Sequence, residues 1–124
     1  MQPNKSPNQA FTLVEIMVVV AIIGLLAAIA IPNFIKARVS AQLNTCINNL
    51  NKIDGAVQQW AIDNKKANSA TVDYSDISSY LKNTVICPTG GTTFHDSYRL
   101  TTVADQPVCQ KVPITHKLPA DTTN

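Results

Sequence analysis

The chain has 124 residues, of which 45% are hydrophobic and 15% are charged, and its formal net charge is +2. This length limits it to one small domain plus any membrane segment. The low net charge, without a basic stripe interleaved with aromatic residues, argues against a nucleic-acid-binding protein. Of the cysteines, which number 3, none shows the paired spacing of a zinc-finger motif.

The first third of the chain contains a long apolar run. Residues 1–10 are polar, and residues 11–31 are apolar with a single ionisable side chain, Glu15. A run of this length is enough to cross a bilayer as one helix. A charge inside such a helix costs about 2.5–3.5 kcal/mol at the membrane centre and less near the ends. We therefore expect Glu15 to have a positively charged partner.

Three interpretations of this run are open at this point. A secretory signal has a shorter apolar core followed by a cleavage site, and the run over residues 11–31 is too long for one. A plain membrane anchor would contain Glu15 by chance. In the third interpretation, the chain is cut before the run, between Ala10 and Phe11.

Residues 32–66 are predicted to continue the helix as an amphipathic segment. Pro32 removes one backbone donor and crowds the preceding turn, and Gly24 is a second weak point, so both are candidate kinks. Apolar side chains recur at steps of three and four residues and include Trp60, which indicates a stripe that packs against a small domain. Cations suit a helix C-terminus, so we expect the helix to end at Lys66.

Residues 67–124 are predicted to form a small head, which makes the whole chain an α+β protein. Its polar tail, from Lys117, is expected to be mobile. The predicted elements are, in chain order, a short helix over 75–82 capped by Ser75, and a hairpin of strands 92–94 and 98–103 around a bend at 95–97.

Cys87 and Cys109 bracket the predicted hairpin, and a bridge between them would stabilise the head by about 3 kcal/mol in the chain-entropy model. A disulfide needs an oxidising compartment, which places the head outside the cytoplasm. Lys36 and Arg38, which follow the apolar run, favour the opposite orientation by the positive-inside rule. Cys46 is expected to be a buried small hydrophobe.

No catalytic residue, cofactor site or metal site is predicted. His95 and Asp96 are adjacent at the predicted bend but have no nucleophile in a suitable context. Asp96 and Asp105 lack the Asp-x-Asp spacing of a calcium loop. Gly90 and Gly91 lack the strand–loop–helix context of a phosphate site. We therefore expect a structural or binding protein rather than an enzyme.

The sequence FTLVE at residues 11–15, behind a short polar leader and before an apolar run with Pro32, resembles the N-terminal segment of type IV pilins and type II secretion pseudopilins. NTCINNL at 44–50, CPTGG at 87–91 and PVC at 107–109 are also similar to bacterial pseudopilin-like proteins. The resemblance covers nearly the whole chain. It implies a pilin-like fold, in which one long N-terminal helix packs against a small disulfide-stapled head with a β-hairpin.

The resemblance also implies processing and assembly. Residues 1–10 would be a leader that a membrane prepilin peptidase removes by cutting between Ala10 and Phe11, and the same enzyme would methylate the new amino group of Phe11. The family usually has glycine before the cut, where this chain has Ala10. Glu15 stands where the family has the carboxylate that pairs with the N-terminal amine of a neighbouring subunit, so we expect it to set subunit register.

The expected function is that of a structural subunit of a pilus-like filament, with a type II secretion pseudopilin as the first choice. The alternatives are a type IV pilin for adhesion, motility or DNA uptake, and a membrane-anchored binding module that does not assemble. The expected partners are the peptidase, other copies of the chain, minor pilins and an inner-membrane assembly platform, without nucleic acid or a cofactor. The expected location is the bacterial inner membrane, with the head in the periplasm.

Overall fold

A computed structural model of the chain describes residues 10–120. The predicted leader apart from Ala10, and the end of the predicted tail after Ala120, lie outside this range. The described elements are α1 (Leu13–Asp63), α2 (Tyr74–Ile77), α3 (Phe94–Ser97), β1 (Tyr98–Arg99) and β2 (Val108–Cys109). The chain divides into two compact units, Met1–Arg38 and Val39–Asn124, and α1 contributes to both. The prediction of an α+β protein with one long N-terminal helix is confirmed.

Helix α1 ends at Asp63, three residues before the predicted end at Lys66. The Lys66 N–H donates to the Ala61 carbonyl at 2.8 Å, and the Lys65 N–H donates to the Ile62 carbonyl at 3.2 Å. Lys65 adopts a positive φ of 51°. These bonds form a Schellman motif, in which a left-handed residue satisfies the last helical carbonyls. Glycine usually occupies that position, so the cations near the end indicate the stop only to within a few residues.

The second unit is organised around one face of α1, as the sequence predicts. Trp60 and Cys46 are both buried, which confirms their predicted packing roles. The buried residues of α1 are Cys46, Leu50, Ile53, Ala56, Val57, Trp60 and Ala61. Phe34 and Ile35, which belong to the predicted apolar stripe, are exposed. The buried stripe therefore begins later than the sequence pattern indicates.

Leu50 gives a direct test of this core. Its side chain is fully buried, so Leu50→Ala removes packing and leaves a cavity. We expect a loss of about 2–5 kcal/mol in the free energy of unfolding. Denaturant unfolding followed by the fluorescence of Trp60 would measure it. Ile62→Ala, on the same helix at a side chain 71% exposed, is the matched control and should change stability by less than about 0.5 kcal/mol. Equal losses in the two variants would contradict this packing.

The head contains a two-stranded antiparallel hairpin, as predicted, but its strands are not the predicted ones. β1 pairs with β2, with Tyr98 opposite Cys109. Residues 92–94 are predicted as a strand, but Thr93 is the N-cap of α3 and Phe94 is its first residue. Thr93 caps this helical turn, because its side-chain oxygen accepts a hydrogen bond from the Asp96 backbone N–H at 3.2 Å. Such a cap favours a helical turn over an extended chain.

The short helix predicted over 75–82 is α2, which begins one residue earlier and already ends at Ile77. Its N-cap is Asp73 rather than Ser75, and the Asp76 carboxylate accepts a hydrogen bond from the Asp73 N–H at 3.0 Å. The Tyr74 ring stacks on Phe94 with their centroids 4.4 Å apart. This contact joins α2 to α3 and fixes the start of the segment that leads into β1.

The first residues of the predicted mobile tail are held against the head. Leu118 is buried in the core, although the sequence predicts mobility from Lys117. The Pro119 carbonyl accepts a hydrogen bond from the Gln106 side chain at 3.0 Å. Burial of one leucine is worth about 1.5–3 kcal/mol, which is enough to hold this short segment against the head.

Candidate processing and assembly segment

The apolar run forms the N-terminal part of α1, and its large side chains are exposed in the single chain. Every large hydrophobic residue from Phe11, which is 84% exposed, to Val39, which is 58% exposed, is more than half exposed. Among the described residues, α1 is the one helix long and apolar enough to span a membrane. Such a continuous apolar surface requires lipid or other protein subunits to cover it.

The helix begins with a reciprocal pair of hydrogen bonds between Thr12 and Glu15. The Thr12 backbone N–H donates to Glu15 Oε2 at 2.7 Å, and the Glu15 backbone N–H donates to Thr12 Oγ1 at 3.3 Å. This is a capping box, in which the side chains at the N-cap and three residues later satisfy each other's backbone donors. The Thr-x-x-Glu spacing in the sequence is its signal, and the sequence interpretation above missed it.

The capping box gives Glu15 a second role beside the predicted one. In the single chain, its carboxylate already has a hydrogen-bond donor and lies at the positive end of the helix dipole. The side chain is therefore oriented toward the start of the helix, next to the Phe11–Thr12 peptide. A positive group at the N-terminus of the helix would meet a carboxylate already held in place.

The predicted cleavage position lies just before the helix. Ala10 and Phe11 are exposed and non-helical, and α1 begins at Leu13. A peptide bond must be accessible and outside a helix for a protease to bind it, and these residues meet both conditions. The cut and the methylation of Phe11 stay predictions.

The two predicted kinks lie within a continuous helix. Pro32 is inside α1, and the Asn33 side chain donates to the Ile29 carbonyl at 3.2 Å. The polar amide of Asn33 is thus satisfied within the apolar segment. A Cβ added at Gly24 would meet no atom within 4 Å. Bending at Gly24 and Pro32 stays a prediction.

Cys87 and Cys109 of the head lie together with Cys46 of α1, beside His116. Their sulfurs and one ring nitrogen of the histidine lie within 4.8 Å of one another, and all four residues are buried. The Cys87 and Cys109 sulfurs are 3.7 Å apart and all the thiols are free, whereas a disulfide holds its sulfurs about 2.05 Å apart. The predicted Cys87–Cys109 disulfide is not formed in this structure, although its two sulfurs are close, and the pairing stays a prediction.

Burial governs the chemistry of these thiols and of the neighbouring tyrosine. The pKa of the Cys46 thiol is raised to about 12, chiefly because the thiol is removed from water; the hydrogen bond with Tyr98 lowers this pKa and the nearby Cys109 raises it. Burial also raises the pKa of Tyr98. The Cys46 thiol and the Tyr98 hydroxyl are therefore neutral at physiological pH.

The acidic residues and histidine near the hairpin do not form a common site. His95 lies 3.3 Å from the Asp73 carboxylate, at the protein surface. Asp96 accepts hydrogen bonds from Lys111 and from Thr92, and Lys111 is the main cause of its lowered pKa. These side chains cap turns and bridge neighbouring segments.

Asp105, the other carboxylate considered for calcium, is also occupied locally. It accepts hydrogen bonds from the side chains of Thr102 at 2.7 Å and Thr101 at 2.9 Å, which lower its pKa. Both bonds end on Oδ2, which holds the turn before β2.

Comparisons with known proteins agree with these features. A family profile described as "Prokaryotic N-terminal methylation motif" matches residues 5–31. Type IV major fimbrial protein FimA from Dichelobacter nodosus is 33% identical over 121 residues, which are 97% of this chain and 69% of that protein. Type IV major pilin protein PilA from Myxococcus xanthus is 58% identical over 43 residues, which are 35% of this chain and 20% of that protein.

A secretion protein is also similar. Type II secretion system core protein G from Klebsiella pneumoniae is 34% identical over 59 residues, which are 48% of this chain and 42% of that protein. The matched part spans less than half of PilA and of protein G. No solved structure matches the chain.

The methylation motif includes the exposed, non-helical residues just before α1 and the capping box that begins this helix. It also includes most of the exposed apolar surface of α1. The similarity to FimA extends from this segment through the head. The chain belongs to the type IV pilin and pseudopilin family.

Proposed function

We propose that the chain is a structural subunit of a pilus-like filament. The observation that carries this proposal is an exposed apolar helix with a carboxylate, Glu15, fixed at its start. Lipid covers such a helix in a single membrane-anchored copy, and neighbouring helices cover it in a filament. The apolar surface alone would fit any membrane anchor, but the placed carboxylate fits a helix that must recognise another subunit.

Processing creates the group that Glu15 recognises. A prepilin peptidase cuts between Ala10 and Phe11 and methylates the new amine of Phe11. Before the cut, the nitrogen of Phe11 is a neutral amide. After it, that nitrogen is a cation, because even a methylated amine is protonated at physiological pH. Only the processed chain therefore offers Glu15 a charged partner.

The amine and carboxylate pair then fixes the register of the filament. Each ion is costly in an apolar environment, and an unpaired one destabilises by several kcal/mol. Glu15 Oε2 accepts from Thr12 in the single chain, and we propose Oε1 as the acceptor for the amine of a neighbouring subunit. A subunit shifted along the filament leaves both charges unpaired, so one register is favoured.

The secretion system and the pilus remain two candidates for the filament. A type II secretion pseudopilin is the sequence-based choice, and the match with protein G supports it. The match with FimA, which includes the head, favours the second candidate, a type IV pilus subunit. Deleting the gene separates them: a pseudopilin deletion leaves exported proteins in the periplasm, and a pilin deletion removes surface filaments while secretion continues.

The proposed location follows from the same partners. The chain is anchored in the bacterial inner membrane by the apolar part of α1, with the head on the periplasmic side. In that membrane the chain meets the peptidase, an assembly platform and minor pilins. We propose no enzymatic activity for it, since the relatives are fimbrial and secretion-system proteins.

Intact-mass analysis of membrane-extracted protein, with and without the peptidase, tests processing. We expect a species that begins at N-methyl-Phe11 in cells with the peptidase, and the uncut chain without it. Ala10→Gly is the matched variant and should be cut at least as completely as the natural chain, whereas the bulky Ala10→Trp should block the cut. A chain that keeps residue 1 in peptidase-containing cells would contradict the proposal.

A further inference from the structure

The cysteine and histidine cluster of the head brings four metal-binding side chains to one buried point from four separate segments. Cys46 comes from α1, Cys87 from the loop before α3, Cys109 from β2 and His116 from the C-terminal segment. Each is at most 4% exposed. Apolar packing explains a single buried cysteine, as predicted for Cys46, but not the convergence of three thiols and an imidazole at one buried point.

The imidazole of His116 gives independent evidence for a ligand at this cluster, because one of its nitrogens has no hydrogen-bond partner among the described residues. Its Nδ1 atom is buried and has no hydrogen-bond partner. A buried polar nitrogen without a partner costs about 1–3 kcal/mol. A neutral imidazole nitrogen can accept a hydrogen bond or coordinate a metal ion, and a Cys87–Cys109 disulfide has no hydrogen to donate to it.

The spacing of the donor atoms fits a tetrahedral ion. Zinc–sulfur bonds of about 2.3 Å place two sulfurs of a tetrahedral site about 3.7–3.8 Å apart. The Cys87 and Cys109 sulfurs are 3.7 Å apart, and the full set of donor atoms lies within 4.8 Å. Closing the widest separation among the donors by about 1 Å would bring all four to bonding distance of one ion.

The surroundings of Cys46 match a metal-bound thiolate. The Asn49 amide donates to the Tyr98 hydroxyl oxygen at 3.1 Å. The hydroxyl of Tyr98 lies 3.7 Å from the Cys46 sulfur. With its oxygen already accepting, the hydroxyl is oriented to donate its proton toward the sulfur. Hydrogen bonds of this kind orient metal ligands and stabilise their charge.

We propose that Cys46, Cys87, Cys109 and His116 bind one zinc ion. Three thiolates and one imidazole are a donor set of structural zinc sites, and soft sulfur ligands exclude magnesium and calcium. Four protein ligands fill the coordination sphere, so the site is structural rather than catalytic. Binding displaces the thiol protons into solvent, which makes zinc affinity rise with pH.

The ion would cross-link the head at the position where the sequence predicts a disulfide. It ties α1 to the loop, the hairpin and the C-terminal segment at one point. It also accounts for Cys46 and His116, neither of which a Cys87–Cys109 bridge would use. Zinc and the bridge exclude each other, because both need the same two sulfurs.

The test uses the full chain in detergent, expressed with zinc in the medium and purified without chelators. Native mass spectrometry and elemental analysis should find one zinc per chain. Cobalt substitution should give the thiolate-to-cobalt charge-transfer band and the visible bands of a tetrahedral site. His116→Ala should weaken zinc binding by more than about 10-fold, and Tyr98→Phe by up to about that much.

His95→Ala is the matched control, since His95 is the chain's other histidine and is exposed. It should bind zinc as the natural chain does. Circular dichroism of each variant checks that α1 is intact. The cobalt spectrum is recorded on the natural chain, so this part of the test does not depend on whether a variant folds. A chain two hydrogens lighter, with Cys46 alone open to alkylation, would overturn the proposal. So would zinc binding that His116→Ala leaves unchanged.

Discussion

Glu15→Gln is expected to abolish filament assembly while leaving membrane insertion and cleavage before Phe11 intact. Glutamine keeps the shape of the side chain and an oxygen that can accept from Thr12, so the capping box survives. It removes the negative charge that the amine of a neighbouring subunit needs. The variant therefore separates the capping role of Glu15 from its pairing role.

The measurement is electron microscopy of filaments from cells that express the peptidase and the assembly platform, with intact mass to confirm processing. Loss of an ion pair in an apolar interface costs about 3–5 kcal/mol per subunit, and every subunit of the filament carries that loss. Thr12→Val is the matched control, because it removes one capping bond and no charge, and it should still assemble. Normal filaments from Glu15→Gln would contradict the role given to its charge.

The sequence predicts α1 well because a long apolar run and a three-to-four-residue repeat leave few alternatives. Its ends are harder. The start depends on the hydrogen bonds between Thr12 and Glu15. The Thr-x-x-Glu spacing is a signal for them, but it was not recognised. The stop depends on Lys65 adopting a left-handed conformation that sequence rules assign to glycine.

The head is less predictable because short elements depend on tertiary contacts. Thr93 caps α3 in a stretch whose alternation favours a strand. The metal-binding cluster is invisible to spacing rules, since Cys46 lies far from the others in sequence and the Cys109 to His116 interval matches no paired motif. Only the packing of the hairpin on α1 brings these donors together.

Gly91→Ala is expected to destabilise the head strongly. A Cβ at this position would overlap the Ser97 hydroxyl and would lie 2.8 Å from the Cys87 nitrogen and 2.9 Å from the Cys87 carbonyl oxygen. The backbone cannot move aside easily, because the Gly91 N–H donates to that same carbonyl at 2.9 Å. Overpacking of this kind costs about 1–3 kcal/mol.

Thermal unfolding followed by the fluorescence of Trp60, which is the single tryptophan, reports on the head. Each kcal/mol lost should lower the Tm by about 4–8 °C. Gly55→Ala is the matched control: its Cβ would meet nothing within 4 Å, and alanine favours a helix by up to about 1 kcal/mol over glycine. The two Gly→Ala changes should therefore shift the Tm in opposite directions.

Adding Ser97→Gly to Gly91→Ala identifies which contact matters. The double variant removes the nearest obstacle, the Ser97 hydroxyl, but keeps both contacts with the Cys87 backbone. Ser97→Gly alone also loses the hydrogen bond from that hydroxyl to the Thr93 carbonyl at 2.6 Å, so the double variant must be compared with both single ones. Partial recovery is expected. Full recovery would mean that the turn can shift away from Cys87, and a Gly91→Ala head as stable as the natural one would show that the turn is not closely packed.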